Sequence, residues 1–144
     1  IDRLVRMGIP VMGHLGLTPQ AVHRLGYRRQ ATDAISQERL VDQARTLEQK
    51  GCFSLVLEHI PAELASRVQQ ELTIPVIGIG AGDGCDGQVR VTADLLGLTA
   101  KQPPFSPALV DGRRLFIDAL KGWVQQTRNN TLPTTESPQS APDC

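Results

Sequence analysis

The stretch IPVMGHLGLTPQ, residues 9–20, decides the fold that we expect for this chain. It begins as a short apolar run entered through Pro10 and ends in a glycine-rich turn that carries His14. This pattern is typical of a buried strand whose carboxyl end presents a polar side chain. A similar stretch, IPVIGIGAG, returns at residues 74–82, and a helical pattern precedes each of the two. The repetition predicts an architecture of alternating strands and helices.

The remaining patterns continue this alternation, and the order strand, helix, strand implies parallel pairing with right-handed crossovers. Residues 2–8 resemble the last turns of a helix already under way, so we expect that an N-terminal part precedes them. We predict four strands, over residues 10–15, from Pro75, and over residues 52–58 and 88–92. We predict helices over residues 36–50, from Pro61, and over residues 108–126, the last with an interruption at Gly112.

Composition is that of a soluble globular protein, since 40% of the 144 residues are hydrophobic and 15 Lys and Arg residues balance 15 Asp and Glu residues. Without a net positive charge and with few aromatic residues, the chain is not expected to bind nucleic acid or an anionic membrane. No apolar run approaches the roughly 20 residues that cross a bilayer. Three cysteines without C-x-x-C spacing indicate neither a disulfide framework nor a zinc site, which favours a reducing, intracellular setting.

Parallel strands with nearly continuous apolar sequence must be covered on both faces and at both edges. A closed eight-stranded barrel meets this need, and the chain holds four predicted strands. We therefore predict an α/β fold in which residues 1–126 form the C-terminal half of a (β/α)8 TIM barrel. From residue 127 onward the sequence is rich in Asn, Thr, Pro and Ser, which predicts a disordered tail over residues 127–144.

Polar residues at the carboxyl ends of the strands are the candidates for chemistry, because barrels of this kind place their active sites there. Glu58 directly follows the apolar run LVL, and desolvation in such a place raises a carboxyl pKa toward the range of a general base. His14 occupies the corresponding place on the first strand, and Thr92 is expected at the same edge. The alternatives are structural: an ion-pairing or helix-capping Glu58 and a hydrogen-bonding His14. No paired metal-ligand spacing occurs, so these residues predict no complete metal site.

The glycine cluster at residues 82–87, GDGCDG, matches the pattern G-x-G-x-x-G. It leads into a predicted strand, whereas a dinucleotide-binding loop must open a helix, so we reject that function. Two interpretations remain for the glycines that follow the third strand, Gly80 and Gly82 among them. They either let the backbone approach a substrate closely or simply form a tight loop.

Three stretches together closely resemble the ketopantoate hydroxymethyltransferase family: residues 9–20, residues 55–65 (LVLEHIPAELA) and residues 74–89 (IPVIGIGAGDGCDGQV). The resemblance covers residues 1–123, in the order and nearly the spacing of the family. It implies a barrel of the phosphoenolpyruvate/pyruvate superfamily and a Mg²⁺-dependent enzyme of pantothenate synthesis. Such an enzyme transfers a hydroxymethyl group from 5,10-methylenetetrahydrofolate to 3-methyl-2-oxobutanoate and forms ketopantoate.

The resemblance also implies roles for individual residues. Glu58 falls on the proton acceptor of the family, and His14 falls on its active-site histidine, which would orient or hydrogen-bond the substrate. Gly80 and Gly82 would belong to the substrate-binding loop. The magnesium ligands and the substrate-binding lysine of the family belong to the first half of the barrel, so the resemblance gives no metal ligand here. Residues 25–31, LGYRRQA, depart from the family pattern by one glycine and by Ala31.

Two other functions stay open at this point. The chain could belong to another Mg²⁺-dependent 2-oxo acid lyase or mutase of the same superfamily, which would not need folate, or it could be a non-catalytic half-barrel that acts as a binding module. The resemblance implies small-molecule substrates and a homo-oligomer for the full-length protein. The expected compartment is the cytoplasm, or the mitochondrion if the source is eukaryotic and a targeting segment has been lost.

Overall fold

The computed structural model describes residues 1–18, residue 26 and residues 28–131. Its helices and strands alternate over most of the chain, as the sequence predicts. In chain order they are α1 (Asp2–Arg6), β1 (Met12–Gly16), α2 (Ala34–Gln49), β2 (Ser54–Glu58), α3 (Ala62–Glu71), β3 (Val76–Ile79), β4 (Gly87–Gln88), α4 (Thr92–Leu95) and α5 (Gly112–Arg128).

The four strands form one parallel sheet in the order β1-β2-β3-β4. The prediction of a parallel α/β fold is thus confirmed at the level of four strands and their helices. A capping box fixes the start of α2, because the backbone N–H of Ser36 donates to the side chain of Asp33 and the Ser36 side chain contacts the backbone of Asp33 in return. Helix α2 therefore begins two residues before the predicted position.

The two faces of the sheet differ in their cover. Leu55 and Leu57 of β2 are fully buried and pack into one core with Val76 of β3. The rest of this core comes mainly from α2, α3 and the segments next to them, namely Leu40, Val41, Ala44, Ile60, Leu64, Ala65, Val68, Leu72 and Ala81. Because side chains alternate along a strand, the opposite face carries His14 and Glu58, which are only partly buried. The face without helices is therefore the one that presents polar groups.

Strand β4 is shorter than predicted and ends at Gln88, so the expectation that Thr92 lies at a strand end is wrong. After Val89, whose N–H still donates to Gly78 O, the chain leaves the sheet. The guanidinium of Arg90 is bonded to Ser106 and Pro107, which ties this segment to the following loop. Thr92 then begins the short helix α4.

Helix α5 begins at Gly112, so this residue starts the helix and does not interrupt it. The side chain of Asp111 accepts a hydrogen bond from Arg114 N at the helix start. Gly112 N donates to Leu96 O at 2.9 Å, and a Cβ at Gly112 would collide with that carbonyl. The helix continues to Arg128, two residues past the predicted boundary of the tail. Residues 132–144 of the predicted tail lie outside the described residues.

Most of α5 is exposed, and Gly112 is its one buried residue. Its exposed apolar side chains are Leu115, Phe116, Ile117, Leu120, Trp123 and Val124. Despite this apolar content, the described part of the chain contains no helix that is long and apolar enough to span a membrane.

Candidate active site

Glu58 is the last residue of β2 and lies at the carboxyl edge of the sheet. Its side chain is 15% exposed. Burial raises the pKa of the Glu58 carboxyl above its usual value, while the charge and the hydrogen-bonding capacity of His14 act in the opposite direction. A carboxylate that is partly desolvated in this way is a stronger base than one in free solution.

His14 lies on the neighbouring strand and reaches the same carboxylate. The register pairs His14 with Val56 and Gly16 with Glu58, so both side chains project from the same face of the sheet. His14 Nε2 lies 3.1 Å from Glu58 Oε2. The ring nitrogen is buried yet makes no well-directed hydrogen bond to any described residue, so the contact is an electrostatic one at hydrogen-bond length. Gly16 pairs with Glu58, and a Cβ at Gly16 would collide with the carbonyl oxygen of Glu58, so the close approach of the two strands requires glycine there.

The turn after Glu58 is held in place by its backbone. His59 adopts a left-handed conformation with φ of 51°, which is uncommon outside glycine. Its N–H donates to Ile79 O on β3, and its carbonyl accepts from Gln30 N. Arg29 also donates to Ile60 O at 3.3 Å. The loop that returns from β1 is thus attached beside the candidate base, although residues 19–25 and 27 of that loop, including His23, lie outside the described residues.

On the other side of Glu58, the end of β3 borders a cavity of about 290 Å³. The predicted substrate-binding residues Gly80 and Gly82 both line it. Gly80 has φ of +60°, and a Cβ there would lie 2.6 Å from the ring of Phe105, so glycine is required by local packing. The other lining residues are Ile79, Gln88, Val89, Arg90, Phe105, Ser106 and Pro107.

Sequence reasoning missed Phe105 and Arg90. Phe105 stands between prolines in a stretch without periodicity, and Arg90 lies within the segment predicted as the fourth strand. The ring of Phe105 lies 4.3 Å from the ring of His59, so it joins the cavity to the turn after the candidate base. Only the three-dimensional arrangement brings these residues to the carboxyl edge of β3.

The described residues do not fit a Mg²⁺ site. Mg²⁺ prefers oxygen ligands in octahedral geometry and is usually held by carboxylates. No group of three or more His, Cys, Asp and Glu side chains within residues 1–18, 26 and 28–131 could hold a metal ion. Glu58 faces the imidazole of His14 and not a second carboxylate. Glu58 and His14 can therefore bind a proton between them, but they do not provide the oxygen ligands that Mg²⁺ needs.

A partly buried carboxylate and an imidazole at adjacent strand ends of a parallel α/β sheet form a geometry that is compatible with proton transfer at that edge. The family profile described as ketopantoate hydroxymethyltransferase matches residues 1–135. The chain therefore belongs to the ketopantoate hydroxymethyltransferase family, which is a family of transferases.

Individual relatives agree with this assignment. A protein of Synechococcus sp. (strain CC9605) is 92% identical over 134 residues, which cover 93% of this chain and 49% of the relative. One of Synechococcus sp. (strain CC9902) is 72% identical over 144 residues, or 100% of this chain and 53% of the relative. One of Prochlorococcus marinus (strain MIT 9303) is 66% identical over 145 aligned residues, which cover 100% of this chain and 53% of the relative. All three are named 3-methyl-2-oxobutanoate hydroxymethyltransferase, and the chain spans about half of their length.

Proposed function

We propose that this chain supplies the proton-abstracting half of a hydroxymethyl transfer to 3-methyl-2-oxobutanoate, which gives 2-dehydropantoate (ketopantoate) in pantothenate biosynthesis. The observation that carries the proposal is the half-buried Glu58 at the end of β2, whose pKa is raised by burial. The names of the relatives supply the substrate.

Glu58 acts as the general base and removes the proton from C3 of the 2-oxo acid. The resulting carbanion is delocalised into the neighbouring oxo group as an enolate, which attacks the one-carbon unit. His14, 3.1 Å from the carboxylate, stabilises its charged form before the transfer and orients it toward the substrate. The donor of the one-carbon unit is 5,10-methylenetetrahydrofolate.

The complete protein is proposed to be a (β/α)8 barrel, of which this chain is the C-terminal half. Mg²⁺ is the proposed cofactor of the complete barrel. Because the described residues do not fit a magnesium site, we place its ligands in the other half and assign no step of Glu58 or His14 to the metal. The full-length protein is proposed to be a homo-oligomer in the cytoplasm.

Hydrogen–deuterium exchange at C3 of 3-methyl-2-oxobutanoate, followed by proton NMR, tests this function. The reaction contains Mg²⁺ and this chain, with and without the separately expressed N-terminal half of the Synechococcus CC9605 relative. We expect exchange when both halves are present and its loss in Glu58→Gln. A complex of the two halves that forms but does not exchange the proton would overturn the proposal and favour a non-catalytic binding module.

A further inference from the structure

Among the described residues, those around Glu58 leave room for a second reactant on the β3 side. On the β1 side the imidazole of His14 contacts the carboxylate. On the helix side, Leu57 and Ile60 are fully buried in the core. On the β3 side, Ile79 pairs with Glu58 in the sheet register and lines the cavity of about 290 Å³. A molecule that must meet a substrate carbon above Glu58 therefore has room on the β3 side.

The walls of this cavity combine an aromatic surface with fixed polar groups. The ring of Phe105 packs against Gly80, and Ile79 and Val89 add apolar surface. Arg90 is held by hydrogen bonds from its Nη2 to Ser106 Oγ at 3.1 Å and to Pro107 O at 2.5 Å. Apolar and aromatic walls with a few placed polar groups are typical of sites for small organic ligands.

The cavity wall also contains polar groups that can hydrogen-bond to the edge of a flat ring. Gln88 Nε2 donates to Gly82 O at 2.9 Å, which fixes its side-chain amide beside the cavity. The guanidinium of Arg90 adds a positive charge that suits a ligand carrying carboxylates. A flat heteroaromatic ring with hydrogen-bonding edges and an anionic tail matches this set of groups.

We infer that the cavity between Gly80, Val89 and Phe105 is the subsite for the one-carbon donor, and that it takes the ring of a reduced folate. The inference rests on the proposed function and adds to it the location of the donor site and the residues that line it. Across the ends of the strands, the order is then His14 on β1, the base on β2 and the donor beside β3.

The transfer at this subsite balances without any oxidant or reductant. The methylene carbon, held between two nitrogens of the donor, takes up one water molecule. The C3 proton of the oxo acid passes to Glu58, a bond forms between C3 and the methylene carbon, and both carbon–nitrogen bonds break. The oxygen of the water stays on the new hydroxymethyl group, and the two nitrogens leave as N–H groups.

Direct binding tests the subsite on the chain by itself. Val89→Trp would fill the cavity, because Val89 lines it and is 45% exposed. Val91→Trp is the matched control, since Val91 is 52% exposed and lies outside the cavity lining. In isothermal titration calorimetry with 5-formyltetrahydrofolate, we expect Val89→Trp to bind at least about tenfold more weakly than the control. Equal binding by the two variants, or no binding by the parent chain, would overturn the inference.

Activity in the two-half mixture separates this inference from the proposed function. Proton exchange at C3 consumes no folate donor, so exchange in the parent mixture tests the proposed function without involving the subsite. Transfer from 5,10-methylenetetrahydrofolate should fall in Val89→Trp, while transfer from free formaldehyde, which needs no ring subsite, should persist. Exchange that fails in the parent mixture counts against the proposed function, whereas intact folate-dependent transfer in Val89→Trp counts against the subsite.

Discussion

His14 Nε2 and Glu58 Oε2 lie 3.1 Å apart although their residues belong to different strands. The imidazole therefore acts directly on the proton affinity of the Glu58 carboxyl. Burial favours the neutral form of the carboxyl, and the neighbouring imidazole favours the charged form. The balance between these effects sets the pH range in which Glu58 can act as a base.

Glu58→Gln should remove exchange at C3 of the oxo acid in the two-half mixture. An amide of the same shape cannot accept the proton, and the loss of a general base typically costs about 10²–10⁴-fold in rate. The measurement is the decay of the C3 proton signal in deuterated buffer. Glu63→Gln, an identical chemical change at an exposed position in the first turn of α3, is the control and should leave the rate unchanged.

His14→Gln should move the acid limb of the exchange profile to higher pH. Burial raises the pKa of Glu58 and the charge of His14 lowers it, so removing the imidazole leaves the effect of burial unopposed. Titration of the Glu58 carboxyl by carbon NMR gives the direction of the pKa change directly and does not depend on enzymatic activity. A limb that stays in place or moves to lower pH would contradict the described contact.

The stability gained from Glu58→Gln should grow with pH. The pKa of Glu58 in the folded chain lies above its unfolded value, so the folded state binds the extra proton and loses stability as the pH rises through that window. Glutamine carries no charge and escapes this loss. Thermal unfolding should therefore show a small difference from the parent at about pH 3 and a larger, stabilising one at about pH 8. A difference that shrinks as the pH rises would contradict a raised pKa.

Gly80→Ala should destabilise the chain by about 1–3 kcal/mol. The new Cβ would lie 2.6 Å from the ring of Phe105, and the backbone there has a positive φ. The control is Gly122→Ala in α5, where a Cβ meets nothing within 4 Å. The control should be stabilising by about 0.5–1 kcal/mol, because alanine favours a helix interior. Denaturant unfolding of the two variants measures both values.

The sequence predicts the parts of this fold that depend on local pattern. The apolar runs of β2 and β3 mark buried strands, and the stripe of Leu64 and Val68 marks the buried face of α3. Glu58 stands out in the sequence because a charge after a fully apolar run must lie at the end of a strand. The strands and the helix face follow from the local pattern of apolar residues, and the parallel pairing follows from the alternation of strands and helices.

Features that depend on packing between distant segments are missed or wrong when only the sequence is considered. The contact of His14 with Glu58 requires the strand register, which no local pattern contains. The neighbours of Thr92 favour strand structure and so predict it at a strand end, but the bonds of Arg90 to Ser106 and Pro107 take the chain out of the sheet. The pattern around Gly112 predicts an interruption, whereas its close approach to Leu96 O makes it the start of α5.

The pairing of β1 with β2 has a consequence for how a protein of this family can change. The spacing of His14 and Glu58 is fixed by the ladder of the sheet, while the segment between β1 and α2 touches this region at the turn after β2. Substitution of Arg29 is therefore expected to weaken this attachment while the sheet keeps the distance between His14 and Glu58. The attachment of the loop and the spacing of the two groups rest on different contacts, so one can be varied by substitution while the other is left intact.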